Sequence, residues 1–137
     1  MQKTLGNQHS NRPIEDGHIR WWRQWLCKII FGLWNQKKAV LENMGFPARP
    51  VSQKEIFKEV QRRTEMLQQE GLWGRTTDYP HIIMHNHNWI ERRVNELAKA
   101  DFGPRTAEGT LKIVCVDKRK GLYAPNPELF FLHLEQN

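Results

Sequence analysis

Histidine, arginine and asparagine are the residues whose spacing could do chemistry in this chain. His81, His85 and His87 fall close together, and a His-x-x-x-His pair on a helix can bring two imidazoles to one metal ion. Pro80 would let a helix begin there, yet no glutamate follows His81 to serve as a base, and no Cys-x-x-Cys supplies a structural zinc site. Asp78 or Cys115 would have to complete the coordination from elsewhere. These histidines therefore read as loop or cap residues that make ordinary hydrogen bonds, and no metal is expected. A glycine-rich phosphate loop, a Gly-x-Ser-x-Gly elbow and paired carboxylates in an acid–base context are all missing from the sequence. No catalytic residue and no cofactor are expected, and the chain is read as non-enzymatic.

The arginines and asparagines of residues 88–100 carry a different chemistry. At about 100° per residue, Ile90, Val94, Leu97 and Ala98 form one apolar stripe, which leaves Asn88, Arg92, Asn95 and Lys99 together on the opposite face. All four can donate hydrogen bonds. Arginine can grip guanine O6 and N7 with two of them, and asparagine can do the same to adenine N6 and N7, so Arg92 and Asn95 suit base reading. Arg93, on the flank, suits a phosphate better. A second basic group, Lys118, Arg119 and Lys120, falls in the turn 117–121, where release of counterions from a phosphate backbone would turn mutual repulsion to use.

The composition agrees with an anionic partner. Lysine and arginine total 21 against 15 acidic residues, a formal net charge of +6, and the isoelectric point is near 9.6. With 137 residues, 39% of them apolar, the chain can build one domain with a modest core but not two large ones. No segment reaches the roughly 18 uninterrupted apolar residues of a spanning helix, so no integral membrane association is expected. Cys27 and Cys115 both sit in apolar runs and read as buried, reduced thiols. With no cationic start followed by an apolar run, the expected location is cytoplasmic.

These residues must be positioned by the elements around them. Residues 1–17 hold only Met1, Leu5 and Ile14 as large apolar side chains and read as a flexible tail ahead of a single domain, 18–137. A Trp-rich amphipathic helix over 18–44 follows, with Ile19, Trp22, Leu26, Ile29, Leu33 and Val40 along one face, while Trp21, Trp25 and Phe31 spill round its sides. A helix this apolar needs more than one neighbour. Gly45 stops it, and Pro47 and Pro50 stiffen the connection. Ser52 and Glu55 then spell a capping box, and Val51 and Ile56 occupy the positions of a hydrophobic staple, which places a second helix over about 53–70, ended by Gly71. Residues 71–87 lack periodicity, and Asn88 with Glu91 repeats the capping pattern at the start of the third helix. Beyond Asp101 the period becomes extended: residues 110–116 form a strand, 117–121 a turn and 122–125 a returning strand, after which Asn126-Pro127 reads as a turn opening a short final helix.

Helix, helix, short basic helix and a β-hairpin with a cationic tip resembles the winged helix-turn-helix family of DNA-binding domains. The resemblance covers residues 52–125 and rests on element order and the segment Asn88–Ala98. It implies an α+β, winged-helix-like fold, mostly helical, with a C-terminal hairpin wing and the long Trp-rich helix in front. It also implies that the third helix enters the major groove of double-stranded DNA while the wing lies along the backbone. Helix-turn-helix units join their helices by a short turn, so residues 71–87 would have to hide a further helical turn or form an insertion that reaches DNA through Arg75. Such domains serve transcription control, replication initiation and mobile elements alike. The Trp-rich helix is expected to pack on this domain or to pair two chains, and the competing expectation is a protein-interaction module, in which Trp22, Leu26, Ile29 and Leu33 form a homodimer seam or dock a protein partner.

Overall fold

A computed structural model describes residues 3–71 and 85–129, with side chains from residue 17 onward. The elements are α1 (Lys3–Asn43), β1 (Val51–Ser52), α2 (Gln53–Gln69), α3 (His87–Glu96), β2 (Ile113–Asp117) and β3 (Leu122–Pro125). Three helices and a three-stranded antiparallel sheet of order β1-β3-β2 make an α+β fold.

The core is built around α1. Trp22, Trp25, Leu26, Cys27, Ile29 and Ile30 are all buried, and α1 packs against α2, α3, β1 and β3. Burial on several sides of one helix is what its surplus of apolar residues requires. Of the two expectations for this helix, packing within the domain is the one observed, and the seam is corrected: Trp22, Leu26 and Ile29 are closed inside the protein's own core, and Leu33 packs half-buried against it. Removing such side chains would cost about 2–5 kcal/mol each. Val40, expected on the same stripe, is 59% exposed because the core ends before it. The backbone of residues 3–17, expected as a tail, continues the helix of α1. Adding residues to an existing helix avoids the cost of a new nucleus. None of the helices, among the described residues, is long and apolar enough to cross a membrane.

The helix ends follow local chemistry. Gly45 (φ +84°) closes α1, with the amides of Gly45 and Phe46 donating to the carbonyls of Glu42 and Leu41 at 3.0 and 2.8 Å. At the start of α2 the capping box forms in full, with Glu55 N–H donating to Ser52 Oγ at 3.1 Å and Ser52 N–H to the Glu55 carboxylate at 3.0 Å. Lys37 of α1 reaches the same carboxylate at 3.0 Å and the Pro50 carbonyl at 2.8 Å, tying the two helices together. The cap of α3 is Asn86, two residues before the expected Asn88, and its side chain accepts from Trp89 N–H at 2.8 Å. Nor does α3 run to Ala100: it ends at Glu96, after which the amides of Phe102 and Gly103 fold back to the Lys99 carbonyl. Gly103 is needed there, since a Cβ would lie 2.2 Å from the Leu97 carbonyl oxygen.

β3 is the central strand, with Val51 of β1 opposite Tyr123 on one side and β2 on the other. Val51 and Tyr123 are both buried, so the two-residue β1 carries the entry to α2 onto the hairpin. β2 is an edge strand with a bulge between Cys115 and Asp117. Cys115 is exposed rather than buried as expected, although Ile113 two residues earlier on the same strand is buried, and Cys27 is buried; both thiols are free. Asn126 caps the turn after β3, donating to the Leu111 carbonyl at 2.8 Å and accepting from Glu128 N–H at 3.0 Å. Of the expected final helix, residues beyond 129 lie outside those described, as does any helical turn or Arg75 contact within 72–84.

Candidate nucleic-acid interface

One side of α3 is buried and the other is open. Ile90, Val94 and Leu97 face the core, while Asn88, Arg92, Asn95 and Lys99 are all exposed. These four, with Glu91, Arg93 and Glu96, line an open hollow of about 490 Å³. The helical-face arithmetic therefore brings together the four donors it named.

Arg93 has a different environment. Its side chain is only 8% exposed, with Nη2 donating to Glu96 Oε2 at 3.0 Å and the guanidinium 4.9 Å above the Trp89 ring. Its Nε lies 3.0 Å from Glu96 Oε1 yet is not aligned to hydrogen-bond it. Burial pulls its pKa down, against the opposing pull of Glu96. Arg23 of α1 approaches the same carboxylate, with Nε at 2.9 Å and Nη2 at 2.8 Å, and stacks over Phe102. Glu96 thus lies between two arginines and fixes α3 to α1. The phosphate role expected of Arg93 is not one this position offers.

The cationic turn is open as expected. Lys118, Arg119 and Lys120 are exposed, and the turn is shaped by Lys120 N–H donating to Asp117 Oδ1 at 3.1 Å and by Gly121 at φ +64°. Among the described residues none of these three cations forms an ion pair.

The turn and the α3 face are joined by Gln53, a residue the sequence did not single out. Its amide donates to the Gly121 carbonyl at 2.9 Å, and its side-chain Nε2 donates to Asn95 Oδ1 at 2.8 Å. Tyr123, one residue into β3, donates its hydroxyl hydrogen to the same Asn95 oxygen. A Cβ on Gly121 would stand 3.1 Å from Gln53 Cγ, so the turn rests directly against the first residue of α2. Asn95 therefore has both lone pairs of its Oδ1 engaged within the protein. Paired recognition of adenine needs that oxygen, so its position suits holding α3 to the hairpin better than reading a base.

The histidines go separate ways. His85 stacks on Trp89 (centroids 3.6 Å, 7°), and its Nε2 meets His18 Nε2 at 2.9 Å. The two rings meet almost head-on, with centroids 5.1 Å apart, which suits an N–H···N bond rather than two lone pairs converging on an ion. Burial, helped by the charges of His18 and Arg93, brings His85 down to about 4. His87 instead lies edge-on to Phe57 and 3.7 Å from Glu91. No group of three or more metal-ligating side chains occurs among the described residues, and His81 lies outside them.

Comparison with known protein families, curated proteins and solved structures finds no match to this chain.

Proposed function

We propose that the protein is a non-enzymatic binder of double-stranded DNA with a winged-helix-like arrangement. α3 would enter the major groove and the 117–121 turn would follow the phosphate backbone. The observation that carries this reading is the Gln53 link, which ties the exposed donors of α3 and the cationic turn into one surface. At 10 residues α3 is about 15 Å long, and a major groove about 12 Å wide admits such a helix. In this reading Asn88, Arg92 and Lys99 probe base edges, and Lys118, Arg119 and Lys120 hold phosphates. Asn95 keeps the two parts in register, and Arg93 anchors α3 to the core. The order α1, α2, α3 and then a hairpin supports this reading.

Fluorescence anisotropy of a labelled random duplex, titrated at several salt concentrations, tests it. Affinity that falls linearly in log salt, with DNA left intact when magnesium or zinc is added, is expected. Absence of binding at low salt overturns it.

A further inference from the structure

A second hollow, of about 360 Å³, lies between α1 and the segment that leads into β2. Its lining is Cys27, Lys28, Phe31, Thr106, Lys112 and Leu129, none of which belongs to the α3 face or the hairpin turn. Its volume is near the lower end of those that hold small ligands, about 300–1,000 Å³. Among the described residues no carboxylate lines it. Cys27 is buried, Phe31 and Leu129 are half-buried, and these three supply an apolar floor. Burial pushes the Cys27 thiol up to about 11, against the pull of both Lys112 and Lys28. At neutral pH this sulfur is a protonated, unreactive part of the floor, within electrostatic reach of two ammonium groups. Neither lysine forms an ion pair among the described residues. The Thr106 hydroxyl, which accepts from Thr110 N–H at 3.1 Å, retains its hydrogen to donate.

An apolar floor beside two cations and a hydroxyl donor complements a ligand with an apolar body and one anionic oxygen-bearing head. We propose that this hollow binds a medium-chain aliphatic carboxylate, its head group between Lys28 and Lys112 and its chain over Cys27, Phe31 and Leu129. A cationic or uncharged head would leave the two ammonium groups without compensation. A multiply charged ligand lacking an apolar body would leave the floor uncovered. The proposal is independent of DNA binding.

Isothermal titration of the full-length protein with decanoate, kept below its micelle concentration, tests it. One saturable site is expected, and Lys28→Glu and Lys112→Glu should each weaken binding by at least about tenfold, the loss of one charge-assisted contact. Lys28 is exposed, so its variant keeps the fold and carries the test even if Lys112→Glu does not. Decylammonium and decanol should bind at least about tenfold more weakly than decanoate. No saturable binding of decanoate, equal affinity for decanol, or unchanged affinity in Lys28→Glu would overturn the proposal.

Discussion

Arg92 and Arg93 are neighbours in sequence, yet they belong to two different regions of the molecule. Arg92 stands in the open beside Asn88 and Lys99, while Arg93 lies against Trp89 and shares Glu96 with Arg23 of α1. Among the described residues the outer cations form no ion pair, and the inner side of α3 uses its cations to hold the helix down. Charge alone does not tell a binding residue from a structural one. What separates them is about 100° of helix rotation and the position of the carboxylate that meets one of them.

Removing that carboxylate should have the largest effect on this contrast. Glu96→Ala leaves Arg23 and Arg93 facing each other with little solvent, and a loss of about 3–5 kcal/mol is expected in urea unfolding. A loss under 1 kcal/mol would mean that the inner arginines do not depend on Glu96. On the outer side, Arg92→Ala should leave stability within about 0.5 kcal/mol. Its effect should be on discrimination: preference for a selected DNA site over random duplex should relax by about 1–3 kcal/mol. An equal loss on both duplexes would make Arg92 a phosphate contact instead. Lys118→Ala should be milder still, weakening all sequences alike and lowering the salt slope by about one.

A pH effect concerns the inner side again. His85 has a folded pKa of about 4 against an ordinary 6.5, so the unfolded chain takes up this proton first and stability declines as the pH falls from 6.5 towards 4. His85→Phe should flatten the decline over that interval in denaturant titrations. Glu59, held at about 2 by Arg62 and Arg63, and Glu55, also lowered, lose their contributions as the pH falls through 4.5, so the interval from 6.5 to about 5 is the one that reads His85. A variant that declines as steeply as the parent would remove His85 as the cause.

Much of the local architecture was legible in the sequence because its causes are local. Ser52 and Glu55 form the capping box within one turn, Gly45 supplies the positive φ that ends α1, and residues 122–125 form β3 at the expected place. Asn88, Arg92 and Asn95 could be grouped because helix rotation depends only on spacing, and Lys99 joins them from the turn after α3. What was not legible depends on distant partners. Two residues are too few to show alternation, so β1 has no signal beyond Val51 after Pro50. Arg23 meets Glu96 across 73 positions and Gln53 meets Asn95 across 42, and no pattern along the chain records either pairing. The inward turn of Arg93 follows from the first of these contacts, and the loss of Asn95 as a base reader follows from the second. Cys115 lies in the same apolar run as the buried Ile113, and nothing along the chain records that the core ends between them.

The central claim is that the outer face of α3 and the cationic turn act as one surface. Amide chemical-shift mapping of the labelled protein with a short DNA duplex at low salt tests it most directly. The account predicts that residues 88, 92 and 99 and residues 118–121 shift together with one midpoint and recover together as salt is raised. Shifts confined to either group, or none in both, would contradict it.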